Sequence, residues 1–192
     1  MIKQTLILAS ASPRRKTLLE QIGICPQVMP SEIEEVMTGK EDPRELVMSL
    51  SEQKAADVAS RCEAGTVVLG ADTVVVLDGQ VLGKPGSEKE AEAMITALQG
   101  RSHQVYTGVS LILAGTAQKI TFAEKTEVIV FPMTGEEIKT YVKSGEPMDK
   151  AGAYGIQGSF ASYIKGIEGD YNNVVGLPVG RVYQELKTLM KL

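Results

Sequence analysis

Asp72, in the run Gly70-Ala71-Asp72-Thr73, has the strongest claim to chemistry because it directly follows Thr66-Val67-Val68-Leu69, a stretch with the composition of a buried strand. A carboxylate at the end of such a strand loses hydration worth several kcal/mol unless a cation, a metal or hydrogen-bond donors replace it. Open α/β sheets also place their ligands at strand ends. The same aspartate suits a plainer task, an Asx turn leading into the hairpin that follows.

Three other groups fit phosphate chemistry. Ser10-Ala11-Ser12-Pro13-Arg14-Arg15 lies where a first strand gives way to a first helix. A helix start offers unpaired N–H groups, and Arg14 and Arg15 bring planar, permanently charged forks suited to phosphoryl oxygens. A well-capped, solvated turn would read the same way. Glu32-Ile33-Glu34-Glu35 offers carboxylate oxygens, the natural ligands of Mg²⁺ or Mn²⁺, provided it folds beside Asp72. Lys54 and Lys84 are cations that would counter a polyphosphate if the fold brings them together.

The elements that must position these residues follow from pattern. Gln4 to Ala9 reads as a first buried strand; Ser12 as N-cap, Pro13 as first helical residue and Gly23 as terminator bound a first helix. Asp42 with Glu45, Ser87 with Glu90 and Thr134 with Glu137 mark three further helix starts by the capping-box spacing. Thr73 to Leu77, Asp78-Gly79 and Val81-Leu82 form a hairpin, with Asp72 between it and the buried strand. His103 to Ala114 and Gln118 to Phe131 make two long strands joined at Gly115-Thr116. The stretch 150–158 is glycine-rich, a backbone able to approach a ligand closely. A last strand over Phe160 to Ile167 and a helix after Pro178 complete a mixed α/β chain.

Composition closes other routes. The chain has 192 residues, 43% apolar and 23% charged, enough for a real core in one domain with room for two lobes. A net charge of −4 argues against broad attachment to nucleic acid. No stretch is long and apolar enough for a signal or membrane span, so a cytoplasmic protein is expected. His103 is the only histidine, which excludes a multi-histidine metal site, and Cys25 and Cys62 have no CxxC context and read as buried free thiols. Walker A and GxGxxG patterns are absent. Chemistry must rest on carboxylates, Lys, Arg and backbone dipoles.

Taken in order, SASPRR, GADT, LGKP, GRSHQVYTGV and DKAGAYGIQG resemble the Maf family of nucleoside triphosphate pyrophosphatases over nearly the full length. The resemblance implies a single Maf-like domain over residues 1–192: an elongated mixed sheet flanked by helices, with two lobes around a central cleft, similar to the inosine-triphosphate pyrophosphatases. It implies hydrolysis of a nucleoside triphosphate to monophosphate and pyrophosphate with a divalent metal, Mg²⁺ or Mn²⁺. Asp72 matches the catalytic acid, Glu35 the second acidic position shared with the metal, and Lys54 and Lys84 basic site positions. Arg14, Thr73 and Gln157 match positions linked to substrate choice, and Ser10 and Arg15 belong to the same phosphate-facing motif. DKAGAYGIQG resembles the branch acting on dTTP and UTP. The family also suggests a possible homodimer and, as the alternative, a nucleotide-binding regulator of septum formation with little turnover.

Overall fold

The computed structural model describes residues 6–33 and 42–190. In chain order it contains β1 (Leu6–Leu8), α1 (Pro13–Gln21), β2 (Gln27–Val28), α2 (Pro43–Ala59), β3 (Val67–Leu77), β4 (Gln80–Leu82), α3 (Glu88–Leu98), β5 (Ser102–Leu113) and β6 (Lys119–Val130). After these come α4 (Gly135–Lys143), three short 3₁₀ turns (Glu146–Asp149, Ala151–Ala153, Ser159–Tyr163), β7 (Ile164–Glu168), α5 (Tyr171–Val175) and α6 (Val179–Met190). No described helix is long and apolar enough to cross a membrane.

The strands form one mixed sheet in the order β2-β1-β3-β5-β6-β7, with β4 paired to β3. β1 runs parallel to both β2 and β3, whereas β3–β4 and β6–β7 are antiparallel. β1, and β3 over the stretch Val67–Leu69 that pairs with it, are apolar without alternation, as strands covered on both faces must be.

Of the three helix starts marked by the capping pattern, one forms the full box and two depart from it. Thr134 and Glu137 form a full reciprocal box. Ser87 accepts from Glu90 N, but Glu90 returns its carboxylate to Gly86 N at 2.8 Å. Asp42 accepts from Arg44 N at 2.9 Å, one residue short of the expected partner. The Asp78-Gly79 hairpin turn has both residues at positive φ, 51° and 76°, the geometry that matches strand twist. Arg101 braces it with two bonds to the Asp78 carboxylate, 2.7 and 2.8 Å.

Three expectations need correction. Asp72 does not stand between a strand and a hairpin: β3 is continuous across Gly70-Ala71-Asp72, and what ends there is its pairing with β1, last registered at Leu8–Leu69. Gly70 is present for packing, not for a break, since a Cβ there would lie 2.3 Å from the Ser51 carbonyl oxygen and 2.7 Å from Ala55 N of α2. Phe160 belongs to a 3₁₀ turn, and β7 starts only at Ile164. Cys25 is exposed and Cys62 half-buried, so neither free thiol is a core residue.

The chain divides into two compact units, Met1–Asp72 with Thr107–Glu124 and Gly176–Leu192, and Thr73–Tyr106 with Lys125–Val175. The first unit packs Leu8, Leu19, Leu50, Leu69, Leu111 and Leu186 at its centre. The second is built around Phe160, Ile95, Leu98 and the buried His103.

Candidate active site

In the first unit, β1, α1, α2 and β3 bring five of the sequence candidates into ordered positions. Lys54, on α2, donates from Nζ to Asp72 Oδ1 at 2.6 Å, with only 15% and 14% of the two side chains exposed. Largely shielded from water, this pair is held more firmly than a surface ion pair. Asp72 Oδ2 meets no hydrogen-bond partner among the described residues. The carboxylate is thus anchored by one oxygen and presents the other.

Directly behind it, buried Arg15 donates through Nη1 to the Ala71 carbonyl at 2.8 Å and to Ser10 Oγ at 2.9 Å, and through Nε to the Gly176 carbonyl at 2.9 Å. Ser10 Oγ also accepts from Ser12 N at 3.3 Å. Ser10 and Arg15 therefore tie the end of β1, the middle of β3 and the chain entering α6 into one frame. Ser12 caps α1 by position but makes no side-chain cap bond, and Arg14 lies half-buried on the first turn.

Of the acidic cluster, Glu32 is exposed, and its N–H donates to Asp57 Oδ2 at 3.2 Å, beside the Ser31 hydroxyl at 2.8 Å. Glu34 and Glu35 lie outside the described residues, so the Glu35–Asp72 metal pair does too. Among the described residues no group of three His, Cys, Asp or Glu side chains converges as a metal site.

The second unit holds the remaining candidates. Thr73 follows Asp72 on β3 and is half-buried; Lys84 is exposed after β4. Gln157 is exposed at the corner of a turn closed by Gly158 N–H to the Gly155 carbonyl at 3.1 Å. The glycines around it were expected to let a ligand approach. Instead they admit the protein's own side chains: a Cβ on Gly152 would meet Val75 at 2.8 Å, on Gly155 Lys150 Cε at 2.7 Å, and on Gly158 Glu146 Oε1 at 2.1 Å.

Beneath the turn lies a tilted aromatic stack, Phe160 with Tyr154, Tyr141 and Tyr163 at centroid distances of 4.8, 5.0 and 5.7 Å. His103 meets it edge-on, its Nε2 2.8 Å from Tyr154 Oη, while Nδ1 finds no partner among the described residues. Burial pushes His103 down to about 4, so the ring is neutral near pH 7. Burial likewise raises the Tyr154 and Tyr141 phenols, Tyr141 further by the nearby Glu146 charge.

With this geometry in place, the family comparison decides the kinship: the model for Maf-like protein matches residues 5–189. The chain belongs to the Maf-like family. A Maf-like relative from Agathobacter rectalis, named dTTP/UTP pyrophosphatase, is 53% identical over 199 residues, covering 96% of this chain and 97% of its own. One from Bacillus cereus with the same name is 49% identical over 182 residues, covering 95% and 94%. Among solved structures, the Ham1 protein of Staphylococcus aureus overlaps 66% of this chain and 72% of its own at 16% identity, with a TM-score of 0.44.

Within this Maf-like chain, sequence reasoning overlooked Glu146. It accepts from Tyr141 Oη at 3.1 Å through Oε1, and from Ser159 N at 2.9 Å and Ser159 Oγ at 2.7 Å through Oε2. Its only sequence signal is its place in Gly145-Glu146-Pro147, ahead of the glycine-rich run.

Proposed function

We propose that this Maf-like protein hydrolyses dTTP and UTP to the monophosphate and pyrophosphate. The observation that carries the reading is the 53% identity, over nearly the full length of both chains, to a relative named for that activity. The Asp72–Lys54 pair supports it with a suitable arrangement of charge.

Hydrolysis of the α–β anhydride adds water across it: the water oxygen forms a new P–O bond, the bridging oxygen leaves with pyrophosphate, and a proton must be taken up. Asp72 Oδ2 orients the water and accepts that proton. Because Oδ1 is bonded to Lys54, the carboxylate cannot turn away, and the ammonium places positive charge beside the polyphosphate. Arg15 keeps β3 in place at Ala71, with Ser10 and Arg14 at the same helix start. Lys84 offers a further cation for the phosphates.

A divalent metal, Mg²⁺ or Mn²⁺, fits the donor chemistry of Asp72, whose second carboxylate oxygen is a hard ligand not taken by Lys54, with Glu35 as the second proposed ligand. When bound, it would supply Lewis-acid charge and lower the pKa of a coordinated water. Base choice falls to Gln157, with Thr73 and Arg14 assisting: its amide offers the donor and acceptor that match the carbonyl and N–H edge shared by uracil and thymine.

Pyrophosphate release from dTTP, UTP, CTP and 7-methylguanosine triphosphate, with Mg²⁺ or Mn²⁺ saturating, tests the reading. The two named substrates should lead, and Asp72→Asn should lower kcat by about 100-fold or more with little change in thermal midpoint. Tight nucleotide binding without turnover would overturn it in favour of a regulator, and near-normal turnover by Asp72→Asn would remove Asp72 from the chemistry.

A further inference from the structure

The turn that carries Gln157 is held on both flanks by charged side chains from the segment before it. Ile156 is buried and Gln157 exposed at the two corner positions, between Gly155 and Gly158. On one flank the Glu146 carboxylate lies flush against Gly158, where a Cβ would come within 2.1 Å of Oε1 and 2.3 Å of Cδ. On the other, the methylenes of Lys150 lie against Gly155, while its ammonium is held by the Glu146 carbonyl and Asp149 Oδ1, each at 2.7 Å. The two glycines are the faces on which these side chains rest.

Glu146 is itself fixed. Three donors occupy its two oxygens, and one of them, Tyr141 Oη, belongs to a ring stacked 5.0 Å from Phe160. The Ser159 N–H and hydroxyl tie the same carboxylate to the chain two residues beyond Gln157. Burial works to raise the Glu146 carboxyl, but the Ser159 and Tyr141 hydrogen bonds and the Lys150 charge outweigh it, so the group is held below its ordinary value.

We propose that Glu146 is a positioning residue for base selection: by clamping the Gly155–Gly158 turn it holds the Gln157 main chain, and with it the reach of the side chain, in one place, an inference that rests on the reading of Gln157 above. Position matters because cytosine reverses the donor and acceptor of the uracil edge, so the preference for uracil lasts only while the amide reaches that edge with both partners aligned. Discrimination between UTP and CTP therefore depends on how firmly the turn is held. A carboxylate that served only stability would lower the unfolding midpoint and leave the substrate ratio alone.

The experiment measures kcat and KM for UTP and CTP in the wild type, Glu146→Ala, Glu146→Gln, Gln157→Ala and the Glu146→Ala/Gln157→Ala double variant. Glu146→Ala should lower the UTP:CTP ratio of kcat/KM by about tenfold, chiefly through a higher KM for UTP, with Glu146→Gln, still able to accept one bond, falling between. In the Gln157→Ala background the same change should move the ratio by less than about twofold, because its effect runs through that amide. A ratio unmoved by Glu146→Ala while Gln157→Ala collapses it overturns this inference alone. If Gln157→Ala leaves the ratio unmoved, the reading of Gln157 fails and this inference with it. Should Glu146→Ala not fold, Ser159→Ala removes one donor and keeps the main-chain bond; it should lower the ratio by about threefold, and no change overturns the proposal.

Discussion

The strand bearing Asp72 and the turn bearing Gln157 are both held rigidly, but by different parts of the chain. Behind Asp72 the support is main chain: Gly70 brings β3 against the backbone of α2, and Arg15 bonds the Ala71 carbonyl. Around Gln157 the support is side chain: Glu146 and Lys150 rest on glycines, and a buried His–Tyr pair lies below. Backbone support leaves one Asp72 oxygen open for chemistry. Side-chain support uses up the Glu146 oxygens and makes the turn sensitive to whatever disturbs those groups.

Gly70→Ala is the severest test of this contrast. The methyl would collide with the Ser51 carbonyl and Ala55 N, which cannot move without shifting α2, so a loss of about 4 kcal/mol or more is expected in urea unfolding. A loss below about 1 kcal/mol would show that α2 does not support β3 there.

Acid probes the second unit. His103 is held near 4 in the folded chain against an ordinary 6.5, so as pH falls the unfolded chain takes the proton first. The contribution is complete above the unfolded value and is lost as pH falls from there toward the folded one. Between pH 7 and 5 this costs about 2 kcal/mol, and His103→Gln should remove that part of the slope. An identical slope in the variant would contradict a neutral, buried His103.

Gly158→Ala should be milder than Gly70→Ala. Its methyl meets the carboxylate end of Glu146, which can rotate away where backbone cannot, at the loss of its three hydrogen bonds, so about 2 kcal/mol is expected. A loss equal to that of Gly70→Ala would erase the distinction between the two kinds of support.

Much of this was legible in advance because local chemistry dictates it. The Thr134–Glu137 box, the Ser12-Pro13 helix start and the Asp78-Gly79 hairpin turn each depend on a few neighbouring residues. Asp72 was legible as a costly acid, but its place within a continuous strand was not, because nothing in the strand's own residues shows that Gly70 is a packing surface for α2. The glycine-rich stretch misled in the same way: its glycines signalled a close approach without saying that Glu146, Lys150 and Val75 make it. Glu146 carries no local signature, since its partner Ser159 lies 13 residues on and Tyr141 reaches it from a neighbouring helix rather than through a recognised motif.

Gly108 adds a second contact to the first unit. A Cβ there would lie 2.0 Å from the Val47 carbonyl oxygen, one helical turn before Ser51, which faces Gly70. α2 is thus seated in two notches about a turn apart, and sliding or rolling by one residue would drive backbone into strand at both. Lys54 sits on a mount with no adjustment. Its reach to Asp72 is set by side-chain length alone, and a longer or shorter cation at position 54 would have to bend or stretch, because the helix has no room to move for it.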